Sequence, residues 1–284
     1  MRIRRPGDTA HDRPRHAIVT LQKIRMEKIL LAVDGYRQNT YAIDFACYLA
    51  KLTHSQLTGV FLDGASDSGG PAITPPAGQG LKHVQLFQDA CLRRDIAAKV
   101  HRDPGVPVGD ILLESRFSDL IVVDPETSFR TADNDFPGRF VRDVLLAAEC
   151  PVVVSPYQFD GLNEVIFAYN GTNSSVFAIK QFTYLFPEFR NKSAVVVRVS
   201  NSDESAMEEQ CKMKEWLSAH YDNVEFVLLK GDASDELFGH LLQRKNAIVV
   251  MGAYGRGILS RFLKPSHASL LLRSINLPIF IAHR

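Results

Sequence analysis

The residues with the most chemical content lie near the C-terminus. Gly252 and Gly255 follow the apolar run 247–251, Arg256 comes next, and the spacing continues as Gly-x2-Gly-x9-Pro265-Ser266. A short apolar run that stops at glycines reads as a buried strand feeding a loop. Glycines there let the backbone bend sharply and approach a ligand, and the N–H groups of a following helix start can bind an anion. Arg256 would supply a counter-charge. Pro265 works against this chemistry, because it has no N–H to offer a phosphate. It can still open a helix, leaving Ser266 and His267 to donate. Asp34 and Asn170 each end an apolar run and each precede a glycine. The aspartate brings a charge to its strand end, whereas the asparagine can hydrogen-bond without one. Each residue also has a structural reading: Gly252 and Gly255 as a tight turn, Asp34 as a turn or cap.

These residues need elements to position them. Strands are expected at 28–35, 56–62, 97–101, 120–123 and 152–154, alternating with helices at 38–52, 83–93, 108–116 and 140–148. Residues 64–80 hold five Gly and three Pro in seventeen positions and are expected to be a mobile loop. The pattern then recurs: strands near 164–170, 193–199, 224–229, 247–251 and 278–281, with helices at 204–220, 234–243 and 268–274. Alternation of this kind implies a parallel sheet with right-handed crossovers. At an offset of 136 residues, Ala32, Gly35, Ala42, Ile43, Tyr48 and Leu49 meet Ala168, Gly171, Ala178, Ile179, Tyr184 and Leu185. At an offset of 127, Ile121-Val122-Val123 meets Ile248-Val249-Val250 and Pro151 meets Pro278. The offsets differ by nine residues, a surplus that the 64–80 loop accounts for. The repeat argues for two homologous domains, 27–157 and 162–284, joined within 156–162.

The whole chain has 284 residues, 45% hydrophobic and 23% charged, with a net charge of +1. That balance makes no case for nucleic-acid or membrane partners, and no apolar run approaches the roughly 20 residues that span a bilayer. The four cysteines, Cys47, Cys91, Cys150 and Cys211, are widely spaced and read as buried small hydrophobes in a reducing, cytoplasmic setting. Residues 1–26 form a basic extension expected to be disordered; the first 25 carry a net +5 against −4 in the remainder. Met26, just before the first strand, competes with Met1 as the natural start.

The glycine spacing resembles the nucleotide loop of the universal stress protein (UspA) family, Gly-x2-Gly-x9-Gly-Ser/Thr/Asn, with Pro265 in place of the third glycine. The resemblance extends over both halves and implies a tandem two-domain member. It implies an α/β fold of two doubly wound five-stranded parallel sheets, order 3-2-1-4-5, adenine nucleotide alpha hydrolase-like, paired as an internal pseudo-dimer through residues 152–154 and 279–281. A further homodimer is compatible with it. It assigns Asp34 and Asn170 to the adenosine end and Gly252, Gly255 and Ser266 to the phosphate and ribose end in the binding of ATP with Mg, with Arg256 as the nearby counter-charge, at the crevices where the winding of each sheet reverses. In the first half the loop positions fall on Pro125, Ser128, Gly138 and Arg139, so neither half reproduces the full pattern. The implied function is stress-response binding and regulation, ATP-responsive through the second half. The alternative is a nucleotide-independent scaffold for an unknown protein partner. No catalytic or metal motif appears. The sequences after Asp34 and Asn170 do not resemble the Ser-Gly-Gly-x-Asp-Ser loop of pyrophosphate chemistry, so no enzyme is expected.

Overall fold

A computed structural model describes residues 26–34, 40–62, 79–103, 105–129, 136–200, 206–253 and 274–283. The expected loop at 64–78, the helix at 268–273 and the basic extension 1–25 lie outside them.

The first half runs β1 (Lys28–Asp34), α1 (Thr40–Thr53), β2 (Gln56–Leu62), α2 (Gln79–Leu92), β3 (Ala98–Asp103), α3 (Pro107–Ser115), β4 (Leu120–Val123), α4 (Arg139–Ala147) and β5 (Val152–Val154). The second half runs β6 (Glu164–Tyr169), α5 (Asn173–Leu185), β7 (Ser193–Val199), α6 (Ala206–Ser218), β8 (Asn223–Leu229), α7 (Ala233–Leu242), β9 (Ala247–Gly252) and β10 (Ile279–Ala282). Among the described residues these strands form one ten-stranded sheet, ordered β3-β2-β1-β4-β5-β10-β9-β6-β7-β8. Each half thus has the order 3-2-1-4-5, and the two fifth strands meet antiparallel, with Ile279, Phe280 and Ile281 opposite Val154, Val153 and Val152. Pairing there covers two apolar edges that would otherwise be open to other chains.

Helices on both faces explain why the central strands are almost wholly apolar. Ile29, Leu31, Val165 and Phe167 point into a core shared with α1, α2, α5 and α6. Leu30, Ala32, Ile166 and Ala168 point the other way, into a core shared with α3, α4 and α7. Local sequence sets several helix starts. Pro107 opens α3, where a missing N–H costs nothing. The Asp232 carboxylate accepts the Ser234 and Asp235 N–H groups of α7 at 2.9 and 3.3 Å, which places the acidic cluster Asp232, Asp235 and Glu236 at a helix N-terminus.

Several boundaries shift by a residue or more from expectation, and two of the shifts have a structural reason. Helix α2 begins at Gln79, so Gly80 belongs to a helix and not to the loop. A Cβ on Gly80 would lie 3.0 Å from the Arg102 guanidinium, and the missing side chain leaves that space to the arginine. Strand β3 extends to Asp103 because β2 offers partners up to Leu62. Cys211 is also a correction: it is exposed, whereas Cys47, Cys91 and Cys150 are buried.

The connection between the halves is anchored from both sides. Phe159 packs against Phe45 and Tyr48 of α1, with ring centroids 5.2 Å away in each case, and the Leu162 N–H donates to the Tyr48 hydroxyl at 3.2 Å. From the second half, the Asn276 carbonyl accepts the Tyr157 and Gln158 N–H groups at 2.8 and 3.2 Å, and its amide donates to the Gln158 carbonyl at 2.9 Å. Replacing Asn276 by alanine is expected to lower stability by about 1–2 kcal/mol. Asn276→Asp, which keeps both accepted bonds, should lose less, and urea unfolding of the two variants measures the difference.

Candidate functional site

In a doubly wound sheet, ligands sit beyond the carboxyl ends of the strands where the winding reverses. Here that gives one crevice at β1 and β4 and a second at β6 and β9. The repeat places them in corresponding positions, yet their chemistry has diverged.

The first crevice is acidic. Asp34 at the end of β1 and Asp124 just after β4 are 6% and 7% exposed. A tight turn follows β4: Asp124 Oδ1 accepts the Glu126 N–H at 2.9 Å, and its carbonyl accepts the Thr127 N–H at 3.0 Å. Both carboxylates and Thr127 line a cavity of about 20 Å³, closed by Ala42 and Ile43 of α1. That is little more than the roughly 10–15 Å³ a single water requires. Gly138, at the third-glycine position, is the N-cap of α4, with φ −57°.

The second crevice carries no carboxylate at its strand end. Asn170 uses its side-chain oxygen locally, accepting the Thr172 N–H at 3.2 Å and the Thr172 hydroxyl at 2.7 Å. Gly171 turns the chain with φ +78°, a left-handed conformation that favours glycine. Thr172 then caps α5, its hydroxyl accepting the Ser175 N–H at 3.3 Å. Gly252 ends β9 directly beneath this turn. A Cβ there would lie 2.5 Å from the Ser174 carbonyl carbon, its oxygen and its Oγ. The glycine at 252 is therefore required by the approach of α5, a packing role that the spacing alone left open beside the ligand-binding one.

A polar group absent from the sequence reading stands at the rim of the second crevice. Arg198 of β7 lies over the Tyr169 ring, 5.6 Å from its centroid. Its guanidinium is 3.8 Å from the Glu209 carboxylate, and the two groups lie 4.0 and 3.7 Å, respectively, from the place a Gly171 side chain would occupy. Tyr169 donates its hydroxyl proton to Glu209 at 2.8 Å. Burial, aided by that bond, pushes the phenol up to about 12, so it stays protonated as a donor. The available signal was Arg198 itself, a lone cation inside the apolar run 194–199.

Of the expected site residues, Asp34, Asn170 and Gly252 are placed, at the ends of β1, β6 and β9. Gly255, Arg256 and Ser266 lie outside the described residues. A larger open cleft, about 760 Å³, runs beside the connection between Tyr41, Asp44, Arg244 and Lys245. Two of its charges are already matched, Asp44 by Arg94 at 2.6 Å and Arg244 by Glu164 at 3.3 Å. Among the described residues there is no group of three or more His, Cys, Asp or Glu placed to hold a metal ion, and no helix is long and apolar enough to cross a membrane.

The architecture defines a doubly wound α/β protein built twice and joined edge to edge. Among solved structures it is similar to a universal stress protein from Archaeoglobus fulgidus, at 15% identity and a TM-score of 0.68, covering 92% of this chain and 97% of that one. It is also similar to a functionally unknown protein from Pseudomonas aeruginosa, at 14% identity and a TM-score of 0.58, covering 92% and 94%. At these identities the likeness establishes the fold: this chain has the universal stress protein fold along nearly its whole length. No family model and no curated relative matches the sequence.

Proposed function

We propose that this chain is a universal stress protein-like binding and regulatory protein of the stress response, built from two homologous domains, 27–157 and 162–284. It acts by binding and not by catalysis, and takes adenine nucleotide, as ATP with Mg, through its second half. The observation that supports the choice of half is the chemistry of the strand ends. The first crevice holds two buried carboxylates, Asp34 and Asp124. The second has Asn170 at the position corresponding to Asp34, with the Arg198 guanidinium and the Glu209 carboxylate together at its rim. Gly255, Arg256 and Ser266 follow β9 in the sequence.

A second reading, a nucleotide-independent scaffold for a protein partner, draws on different contacts. Asn170 already serves its own turn, and Gly252 is already filled against by Ser174.

Thermal unfolding with and without millimolar ATP–Mg separates the two. A ligand at 100 times its Kd adds about 2.7 kcal/mol, a measurable rise in Tm. The expected result is a rise that survives Asp34→Asn and is mostly lost in Arg198→Gln. A rise lost in Asp34→Asn alone moves the site to the first half. No rise in a normally folded wild-type chain favours the scaffold reading.

A further inference from the structure

Cys47 and Cys91 are 44 residues apart in sequence, yet their sulfurs lie 3.8 Å apart. Cys47 sits on the inner face of α1 and Cys91 in the last turn of α2, and both are at most 1% exposed. We propose that Cys47 and Cys91 form a reversible disulfide that ties α1 to α2 when hydrogen peroxide reaches the pair. This goes beyond the nucleotide reading and does not rest on it.

The geometry favours this pair over the other cysteines. A disulfide has an S–S distance of about 2.05 Å, so the sulfurs need to approach by only about 1.8 Å. The pair sits beside a cation: Arg94 donates to the Ala90 carbonyl at 3.1 Å and to Asp44 at 2.6 Å, which holds its guanidinium at the end of α2. The two thiols divide the work. The contact with Cys47 pulls the Cys91 thiol down against the effect of burial, with Arg94 adding to the pull, and the same contact, with burial, pushes the Cys47 thiol up. The place of Cys91 in the last turn of α2, beside Arg94, makes it the attacking thiol and leaves Cys47 to resolve. Burial excludes large oxidants, but hydrogen peroxide is close to water in size, and the last turn of a helix opens more readily than its middle. By contrast, burial pushes the Cys150 thiol up to about 12, and Cys211 is exposed without a partner thiol.

The reaction balances with one peroxide. The Cys91 sulfur attacks a peroxide oxygen, the O–O bond breaks, and the departing hydroxide takes up a proton and leaves as water. The resulting sulfenic acid is attacked by the Cys47 sulfur; the S–S bond forms, the S–O bond breaks, and the hydroxyl leaves with the Cys47 proton as a second water. Two thiols are oxidised by two electrons, and one peroxide is reduced to two waters.

The test uses the full chain, reduced, exposed to hydrogen peroxide at neutral pH, blocked with an alkylating agent and digested with trypsin without reduction. Cleavage yields peptides 38–51 and 83–93, which carry Cys47 and Cys91. The expected product is these two peptides joined, two hydrogens lighter than their sum, and separated again by dithiothreitol. A Cys211→Ser chain should form the same link, whereas in Cys47→Ser the link is absent and Cys91 proceeds to the sulfinic acid. Recovery of Cys47 and Cys91 as thiols after Cys211 is fully oxidised overturns the proposal. So does a link that forms only in urea, because the folded arrangement would then not have made it.

Discussion

Gly252→Val is expected to lower folding stability by about 3 kcal/mol, at the upper end for forcing extra volume into a packed site. The cause is backbone and not solvent. Any Cβ at this position would lie 2.5 Å from three atoms of Ser174, two of them main-chain. Neither side can easily withdraw. Gly252 is paired with Ala282 of β10, and the next N–H, of Ala253, donates to the Ala282 carbonyl at 3.0 Å. On the other side, the Thr172 cap holds the first turn of α5. Urea unfolding of the variant and the wild type gives the number. A loss below about 1 kcal/mol, the ordinary range for a tolerated substitution, would mean that α5 moves aside, leaving the glycine free to serve a ligand. The same result bears on nucleotide binding, since a Gly252 variant that no longer responds to ATP–Mg has first to be shown to fold.

Phe280→Ala carries the second large effect, a loss of about 3–5 kcal/mol, typical of deleting a buried aromatic ring. Phe280 is fully buried at the seam between the halves. It stands opposite Val153 on one side and beside Val250 on the other. Its ring meets those of Phe182 and Phe186 edge-on, with centroids 5.3 and 6.2 Å away. Among the described strands, β5 and β10 make the one pairing between halves, so a weakened β10 loosens that joint together with the core of the second half and leaves the first half intact. The expected signature is a denaturation curve that splits into two transitions, compared with a small uniform change for Leu228→Ala at a half-exposed position. A single transition with an unchanged midpoint would show that the seam is held by other contacts.

Much of this fold is legible from the chain because its strands lie between two layers of helices. Such strands must be apolar on both faces, and runs such as Ile29-Leu30-Leu31 and Ile248-Val249-Val250 stand out for that reason. The offsets of 136 and 127 residues then carry the order of one half over to the other. The pairing of residues 152–154 with 279–281 came from the family resemblance and not from the pattern, and the structure has it. The end of the loop before α2 was misread because composition was the guide: Gly80 marks a breaker by type, but inside α2 it is the residue that makes room for Arg102.

The candidate site is less legible, and the reason is distance along the chain. The doubly wound order and its crevices came with the family resemblance; the sequence by itself determined two repeated halves of alternating strand and helix, an acid at the end of β1 and an amide just after β6. Those properties depend on residue type and local period. Only the tertiary structure decided that Asp124 joins Asp34 in one small cavity, that Gly252 lies against the first turn of α5, that Arg198 reaches Tyr169, Glu209 and Gly171, and that Cys47 meets Cys91. Each of these contacts joins residues tens of positions apart, set by how helices settle onto the sheet. Neither hydrophobic period nor motif spacing encodes that settling, because it is fixed by side-chain volume and backbone approach summed over the whole packed layer.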